Sequence, residues 1–412
     1  MTVPKLGAQS GTFLLWVILI SCFAKVPMQY VFARHVMHTG KGTMEILSEA
    51  PFKRLILGYW VVMQLFTLIQ LSGTLQGLGQ LLSGAWPAVP PIAFAFLMVV
   101  LTIALLLRGS YAAVDIGSII MVIAFTVFTV GCAVMVQSMP EWSLSLKDIA
   151  DGLQFKLPPL NPDRSIATAL AVFGMTGMAA TDVIAYPYWL KAAGWADAVG
   201  PAGSADRQLR MNGWLKLLRL NVVTGCVIYT IPTIALYLLG GTVLLRQHLD
   251  PNDSQMVKTL AEMYVPVLGR WTWIFFLIGG FSVLYSTLLG ASGGHSLVQA
   301  DFARVAFPSV GASGSKKLTR LFYIAVPMFT FVVMLFGTTP VTLVLLGGAM
   351  QALMLPLMAG VALWLHYSTK AEFGSPDNAS ARWLKAIFTG LLWAAAAAMT
   401  VIVIWGLVVK FR

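Results

Sequence analysis

Charge is scarce in this chain: Asp, Glu, Lys and Arg together supply 10% of its 412 residues. Soluble domains carry roughly 25%, so an ordinary water-facing surface is excluded. With 58% hydrophobic residues and a mean hydropathy of +0.81, the composition is that of a polytopic membrane protein. Cysteine is nearly absent. Cys22, Cys132 and Cys226 stand at unrelated spacings, which excludes a disulfide framework and a cysteine metal cluster. The histidines, His35, His38, His248, His295 and His366, form no metal-binding pair at helical spacing inside one apolar span. There is no phosphate-cradling glycine loop, metalloprotease helix or serine nucleophile elbow. Nothing therefore points to an enzyme or to a bound cofactor.

Long apolar runs take the place of these features. Windows about 20 residues wide, the thickness of a bilayer, give ten segments: 12–34, 55–83, 89–107, 112–136, 166–190, 214–239, 271–298, 318–336, 341–366 and 383–409. The expected fold class is an all-α polytopic membrane protein of about ten helices, with 1–412 a single integral membrane domain. Gly311-Ala312-Ser313-Gly314-Ser315 reads as a flexible loop between two spans.

The net charge of +11 sorts by loop. With Arg34 placed in the cytoplasm, 17 of the 27 Lys and Arg fall on that side and nine on the other, while Lys25 lies within a helix. This follows the positive-inside rule. The basic balance thus reports membrane orientation and not a nucleic-acid partner. The lipid bilayer, expected to be a bacterial inner membrane, is the only surrounding implied, and no protein partner is. The residues before position 12 read as a short external tail, and an even number of helices puts both termini outside. One further helix ahead of Met1 would return the N-terminus to the cytoplasm.

One apolar segment is interrupted. Residues 173–189 read Phe-Gly-Met-Thr-Gly-Met-Ala-Ala-Thr-Asp-Val-Ile-Ala-Tyr-Pro-Tyr-Trp. Between Gly174 and Pro187 the helical ladder is expected to open, because Pro187 has no N–H for the Val183 carbonyl and glycine lowers the cost of unwinding. Backbone freed inside a bilayer must face protein, water or an ion. With Asp182 at the same depth, the segment reads as a transporter's substrate or ion site near the midplane. The expected donors are oxygens: Asp182 and Thr181 as metal ligands, the carbonyls between Gly177 and Ala180, and Tyr186 beside them. Such a set suits magnesium, calcium or manganese.

Other residues carry a familial signature. Leu14-Leu15-Trp16-Val17, Gln29-Tyr30, Ala33-Arg34 and Thr39-Gly40-Lys41 resemble, without gaps, the second membrane helix of the Nramp family of divalent-metal transporters. The resemblance continues at Leu268-Gly269-Arg270-Trp271, Ser286-Thr287 and Leu353-Met354-Leu355-Pro356. It implies the inverted-repeat transporter fold, five helices plus five, of the amino acid-polyamine-organocation superfamily. On that plan 12–137 is the remainder of the first repeat, 166–367 the second, and 383–412 an extra helix. The broken segment resembles the family's sixth helix.

Two departures stand out. The family's first-helix Asp-Pro-Gly-Asn break occurs nowhere in the sequence; Asp250-Pro251-Asn252-Asp253 lacks the glycine and reads as a turn. The expectation is of a missing first helix, with half of the ligand cage on it, so that the chain alone is inactive. In the sixth-helix break the family carries Met-Pro-His, whereas Pro187 here stands between Tyr186 and Tyr188. Losing the thioether favours hard ions over soft ones, hence magnesium or manganese as substrate. The 60–79 stretch holds Gln64, Gln70, Ser72, Thr74 and Gln76 where the family places acids for a proton path; the expectation is uniport.

Several polar residues carry two readings. Lys25 stands about 13 Å by helical rise from Arg34, too deep to reach the surface easily. It is either a fixed charge standing in for a cation, or a structural partner of a helix-end carbonyl or acid. Gln351 either completes an ion's shell or bonds a neighbouring helix. Gln29, Asn221 and Ser286 on a pathway carry the same ambiguity, and His295 is expected to bond an adjacent helix. The spacings Gly73/Gly77 and Gly290/Gly294 indicate close helix packing. If Lys25 and the Tyr186, Tyr188, Trp189 group line the cavity, an amino acid or other organic solute becomes the competing substrate. An inactive truncated membrane protein is the third possibility.

Overall fold

A computed structural model describes residues 1–109, 111–158, 162–201, 203–251, 256–307, 309, 311–336, 339–368 and 379–410. Among these there is no strand. In chain order the helices are α1 (Thr2–Ser10), α2 (Leu15–Ala24), α3 (Val26–Thr39), α4 (Thr43–Glu49), α5 (Lys53–Ala85), α6 (Pro91–Arg108), α7 (Tyr111–Gln137), α8 (Leu146–Asp151), α9 (Pro162–Met175), α10 (Ala180–Ala192), α11 (Trp195–Ala198), α12 (Arg207–Leu239), α13 (Met256–Glu262), α14 (Val265–Leu268), α15 (Thr272–Ala306), α16 (Gly311–Met334), α17 (Pro340–Ser368) and α18 (Ala379–Lys410). A π-turn, Gly240–Leu244, extends α12. Among the described residues nine helical spans are long and apolar enough to cross a membrane, and Val122–Gln137 of α7 is a shorter apolar helix.

The apolar segments of the sequence all appear, with three differences in detail. The 12–34 segment is two helices, α2 and α3, jointed at Lys25, with Pro27 in the first turn of α3. Proline fits there because an opening turn has no intrahelical use for its N–H. The residues read as an external tail form α1, whose Pro4, Leu6, Gly7 and Ala8 are buried. Gly7 lies against the Tyr237 carbonyl and Gly240 against that of Pro4, leaving no room for a Cβ on either. Backbones pack this closely only where side chains are absent. The stretch 311–315, read as a loop, opens α16.

The core is built on the interrupted segment. α17 packs along α5 and α9, and α10 packs between α3 and α15. Gly73 of α5 meets the Pro340 carbonyl, as its spacing suggested, while Gly290 faces a cavity. The outward faces of α6, α12 and α18 carry exposed apolar side chains such as Leu97, Val100, Leu220, Val227, Val401 and Ile404. A continuous apolar exterior on a bundle of this length is a lipid-facing belt.

The loops gather at two ends. At one, Lys191 donates to the Gly40 carbonyl (2.6 Å), Arg207 to the His38 carbonyl (2.7 Å), and Arg304 bridges Asp301 and Glu45. At the other, the buried Lys5 pairs with Asp250 at 2.8 Å, and Arg246 donates to the carbonyls of Glu141 and Ser143. Asp250 of the turn-like run is thus an ion-pair partner; Asn252 and Asp253 lie outside the described residues.

Candidate ion site at the broken helix

The break lies at residues 176–179, between α9 and α10. It falls inside the Gly174 to Pro187 window expected from the sequence, but Pro187 is not its cause. Pro187 sits inside α10, which continues through it at the loss of one hydrogen bond. Gly174 belongs to α9 and lies against the Gly348 carbonyl of α17, so its lack of a side chain serves packing. Gly177 makes the turn. Its φ of +73° is left-handed, a conformation that costs other residues roughly 1–2 kcal/mol.

Each side of the break is neutralised differently. On the α9 side the carbonyls of Phe173 and Thr176 receive the Lys25 ammonium at 2.5 and 2.7 Å, and Ser21 Oγ, one turn before Lys25, receives it at 3.1 Å. The ammonium also stands 5.1 Å from the Phe173 ring centroid. Lys25 is 0% exposed, and the joint between α2 and α3 delivers it to this point. The structural reading of Lys25 as a partner of helix-end carbonyls therefore holds, and it does not line the cavity described below.

On the α10 side Asp182 stands at the third helical position and accepts the Ala179 N–H through Oδ2 at 3.1 Å. Ala179 has no side-chain acceptor, so this is half of a capping box. The carboxylate is exposed although it lies deep between helices. What it is exposed to is a cavity of about 1040 Å³, walled by α10, α15, the end of α6 and α16. The cavity runs from Thr181 and Asp182 past Trp189 to Ala193, toward the Lys191 end of the molecule. Ser286 and Thr287 of α15 add hydroxyls to its wall, and among the described residues no methionine or cysteine lines it. His295 also lines it, with Nδ1 held 3.1 Å from the Gln64 amide nitrogen of α5, the inter-helix bond expected for it.

Behind this wall runs an amide chain. Thr181 Oγ1 donates to Gln351 Oε1 at 2.9 Å, and Gln351 Nε2 donates to Gln70 Oε1 at 2.7 Å. Gln351 is 1% exposed and off the cavity, so it orients Thr181 across α17 and α5. Ala180 is buried in the first turn of α10, and Gly177 is half-buried in the break beside Cys22. Tyr186 donates to Asn221 at 2.7 Å, on an exposed face away from the cavity. Gln29 is buried four residues beyond Lys25 and also lies off the cavity wall.

Thus Asp182, Thr181 and Ser286 share one cavity, whereas Tyr186, Asn221, Gln29, Lys25 and Gln351 do not open on it. Sequence reading missed Ser21, although its i−4 spacing from Lys25 places both on one helix face. It also missed the anchor of α10. Tyr188 donates to Asp301 Oδ2 at 2.5 Å and accepts the Met44 N–H at 3.0 Å, joining α10 to α4 and α15.

Solved structures with this architecture exist. A manganese transporter from Eremococcus coleocola, in a mutant form, superposes with a TM-score of 0.65 at 13% identity, covering 100% of this chain and 94% of that one. The same transporter in complex with an aromatic bis-isothiourea substituted compound gives 0.58 at 13% identity over the same shares. No curated protein matches the chain in sequence. The family model described as natural resistance-associated macrophage protein-like matches residues 1–409, and the chain belongs to that family, Nramp.

Proposed function

We propose that this chain carries divalent metal cations, magnesium or manganese, across the membrane by alternating access around Asp182, the repeats 12–137 and 166–367 moving about the break. The observation that carries the reading is the half-used carboxylate of Asp182. One oxygen caps α10, and no hydrogen bond among the described residues reaches the other, which is left to the cavity. A carboxylate at a helix break attracts a cation strongly where water is scarce.

The donor set favours hard ions. Thr181, Ser286 and Thr287 line the same cavity as Asp182, and among the described residues no three His, Cys, Asp or Glu come together as a cage. One carboxylate with a few hydroxyls leaves most of an ion's shell to water, the way magnesium is usually held. The described residues of the wall include no thioether or thiol, the groups that select soft metals. The manganese transporters of the same architecture support a divalent substrate. The polar groups of α5 behind the cavity wall, Gln64 bonded to His295 and Gln70 bonded to Gln351, do not titrate, which supports uniport without proton coupling.

Uptake by proteoliposomes holding the full-length protein tests this directly. Magnesium and manganese are expected to enter at least as fast as cadmium, without acidifying the lumen. Cadmium uptake far above magnesium, with proton entry, would refute both the selectivity and the coupling.

A further inference from the structure

The ammonium of Lys25 is held as a bound ion would be. Two backbone carbonyls from the end of α9 and one hydroxyl converge on Nζ, all within 3.1 Å, and an aromatic face stands on one side. An ammonium has three N–H donors, and here each has an acceptor, so no proton remains for water. The charge is fully dehydrated. The end of a helix carries the negative pole of its dipole, and carbonyl clusters of this kind replace the hydration shell of monovalent cations in membrane proteins.

A carboxylate partner is missing from this shell. No acid lies within ion-pair distance of Lys25 among the described residues. A neutral donor would satisfy the same three acceptors without the several kcal/mol that burying an ion costs. The positive charge itself is therefore what the position retains, set against the α9 dipole and across the four-residue break from Asp182.

We propose that Lys25 is a tethered cation permanently occupying a monovalent-cation subsite in the break, so that the transporter holds its broken helix together without a bound alkali ion. The subsite is formed by Phe173 O, Thr176 O and Ser21 Oγ, and an ion the size of potassium or sodium fits its chemistry. This goes beyond the proposed cargo and does not depend on it, since the divalent ion is assigned to the other side of the break.

Thermal unfolding of the purified protein, without divalent metal, in potassium, sodium or choline chloride at equal ionic strength tests the proposal. The unsubstituted chain is expected to unfold at one temperature in all three salts. Lys25→Ala, which empties the subsite, should unfold several degrees lower in choline and regain most of that loss as potassium or sodium is titrated in. Lys25→Met, which fills the space with an apolar chain, should show the loss without the recovery. Lys25→Ala unfolding alike in every salt, or Lys25→Met as stable as the unsubstituted chain, would overturn it. Divalent uptake is not the readout, so failure here and failure of the proposed cargo are distinguishable.

Discussion

The two sides of the break solve one electrostatic problem in opposite ways. The α9 terminus presents carbonyls, and a lysine of 0% exposure saturates them. The α10 terminus presents N–H groups, and an aspartate half-occupied by capping leaves an oxygen on a cavity. Both devices satisfy backbone that lipid cannot. Only the second leaves charge available to a ligand, which is why the proposed function places the cargo at Asp182 while Lys25 serves the structure.

Substitution of the two charges should separate these roles most sharply. Asp182→Asn keeps the shape and the capping acceptor while removing the charge. Metal uptake is expected to fall at least about tenfold, equivalent to ~1.4 kcal/mol, with little change in unfolding temperature; unaltered uptake and ion affinity would remove Asp182 from the site. Lys25→Met should do the reverse and lower stability first. It leaves the Phe173 and Thr176 carbonyls with only the Ser21 hydroxyl to share between them, and a buried carbonyl left unmet costs about 1–3 kcal/mol. A variant that unfolds normally yet has lost transport would erase the distinction.

Smaller effects belong to the turn and to the wall. Gly177→Ala forces an L-residue into positive φ and sets its Cβ 3.0 Å from the Cys22 Cα. A loss of about 1–2 kcal/mol is expected in a denaturant or thermal titration, and a neutral result would mean that the break relaxes freely. Thr181→Val removes a cavity hydroxyl together with the donor to Gln351. A rise of a few fold in the apparent metal KM is expected, about 1 kcal/mol, without the collapse expected for Asp182→Asn.

The smallest effect lies outside the membrane, where α8 carries a complete version of the same cap. Ser145 Oγ accepts the Asp148 N–H at 3.1 Å, and Asp148 Oδ2 accepts the Ser145 N–H at 2.8 Å. Hydrogen bonds from the Ser145 hydroxyl, then from its backbone N–H, hold the Asp148 carboxyl below its ordinary value of 3.8. A depressed carboxylate stabilises the fold above the unfolded value, and the contribution disappears as pH falls through the lower folded one. Ser145→Ala should cost about 1 kcal/mol or less. It should also weaken the acid dependence of local hydrogen exchange at 145–148; an unchanged profile would mean that the exposed cap is solvated away.

Much of the architecture was legible because lipid imposes it locally. Apolar length marked the spans, and glycines beside an acid marked 166–190 as the interrupted segment, whose Asp182 and Thr181 open on the cavity. Less local features were misjudged. Pro187 was the plainest breaker in the sequence, yet α10 absorbs it, and the chain opens instead where Gly177 turns. The first ten residues lack a span's length, and their burial against Gly240 depends on a surface more than two hundred residues away. Tyr186 sits close to Asp182 in sequence, but the helix turns it toward Asn221.

By itself the sequence determined that the chain lives in a membrane, where its long apolar segments lie, which of them is interrupted and that an acid lies at the interruption. Those properties are set by composition and spacing within single segments, because each segment must satisfy its own backbone before it meets a neighbour. The tertiary structure alone decided that Lys25 seals one side of the break, that Gln351 stands behind Thr181, and that Asp182 keeps a carboxylate oxygen on the cavity. Each of these pairs groups from different helices, and which face of one helix meets which face of another is fixed by packing across the whole bundle.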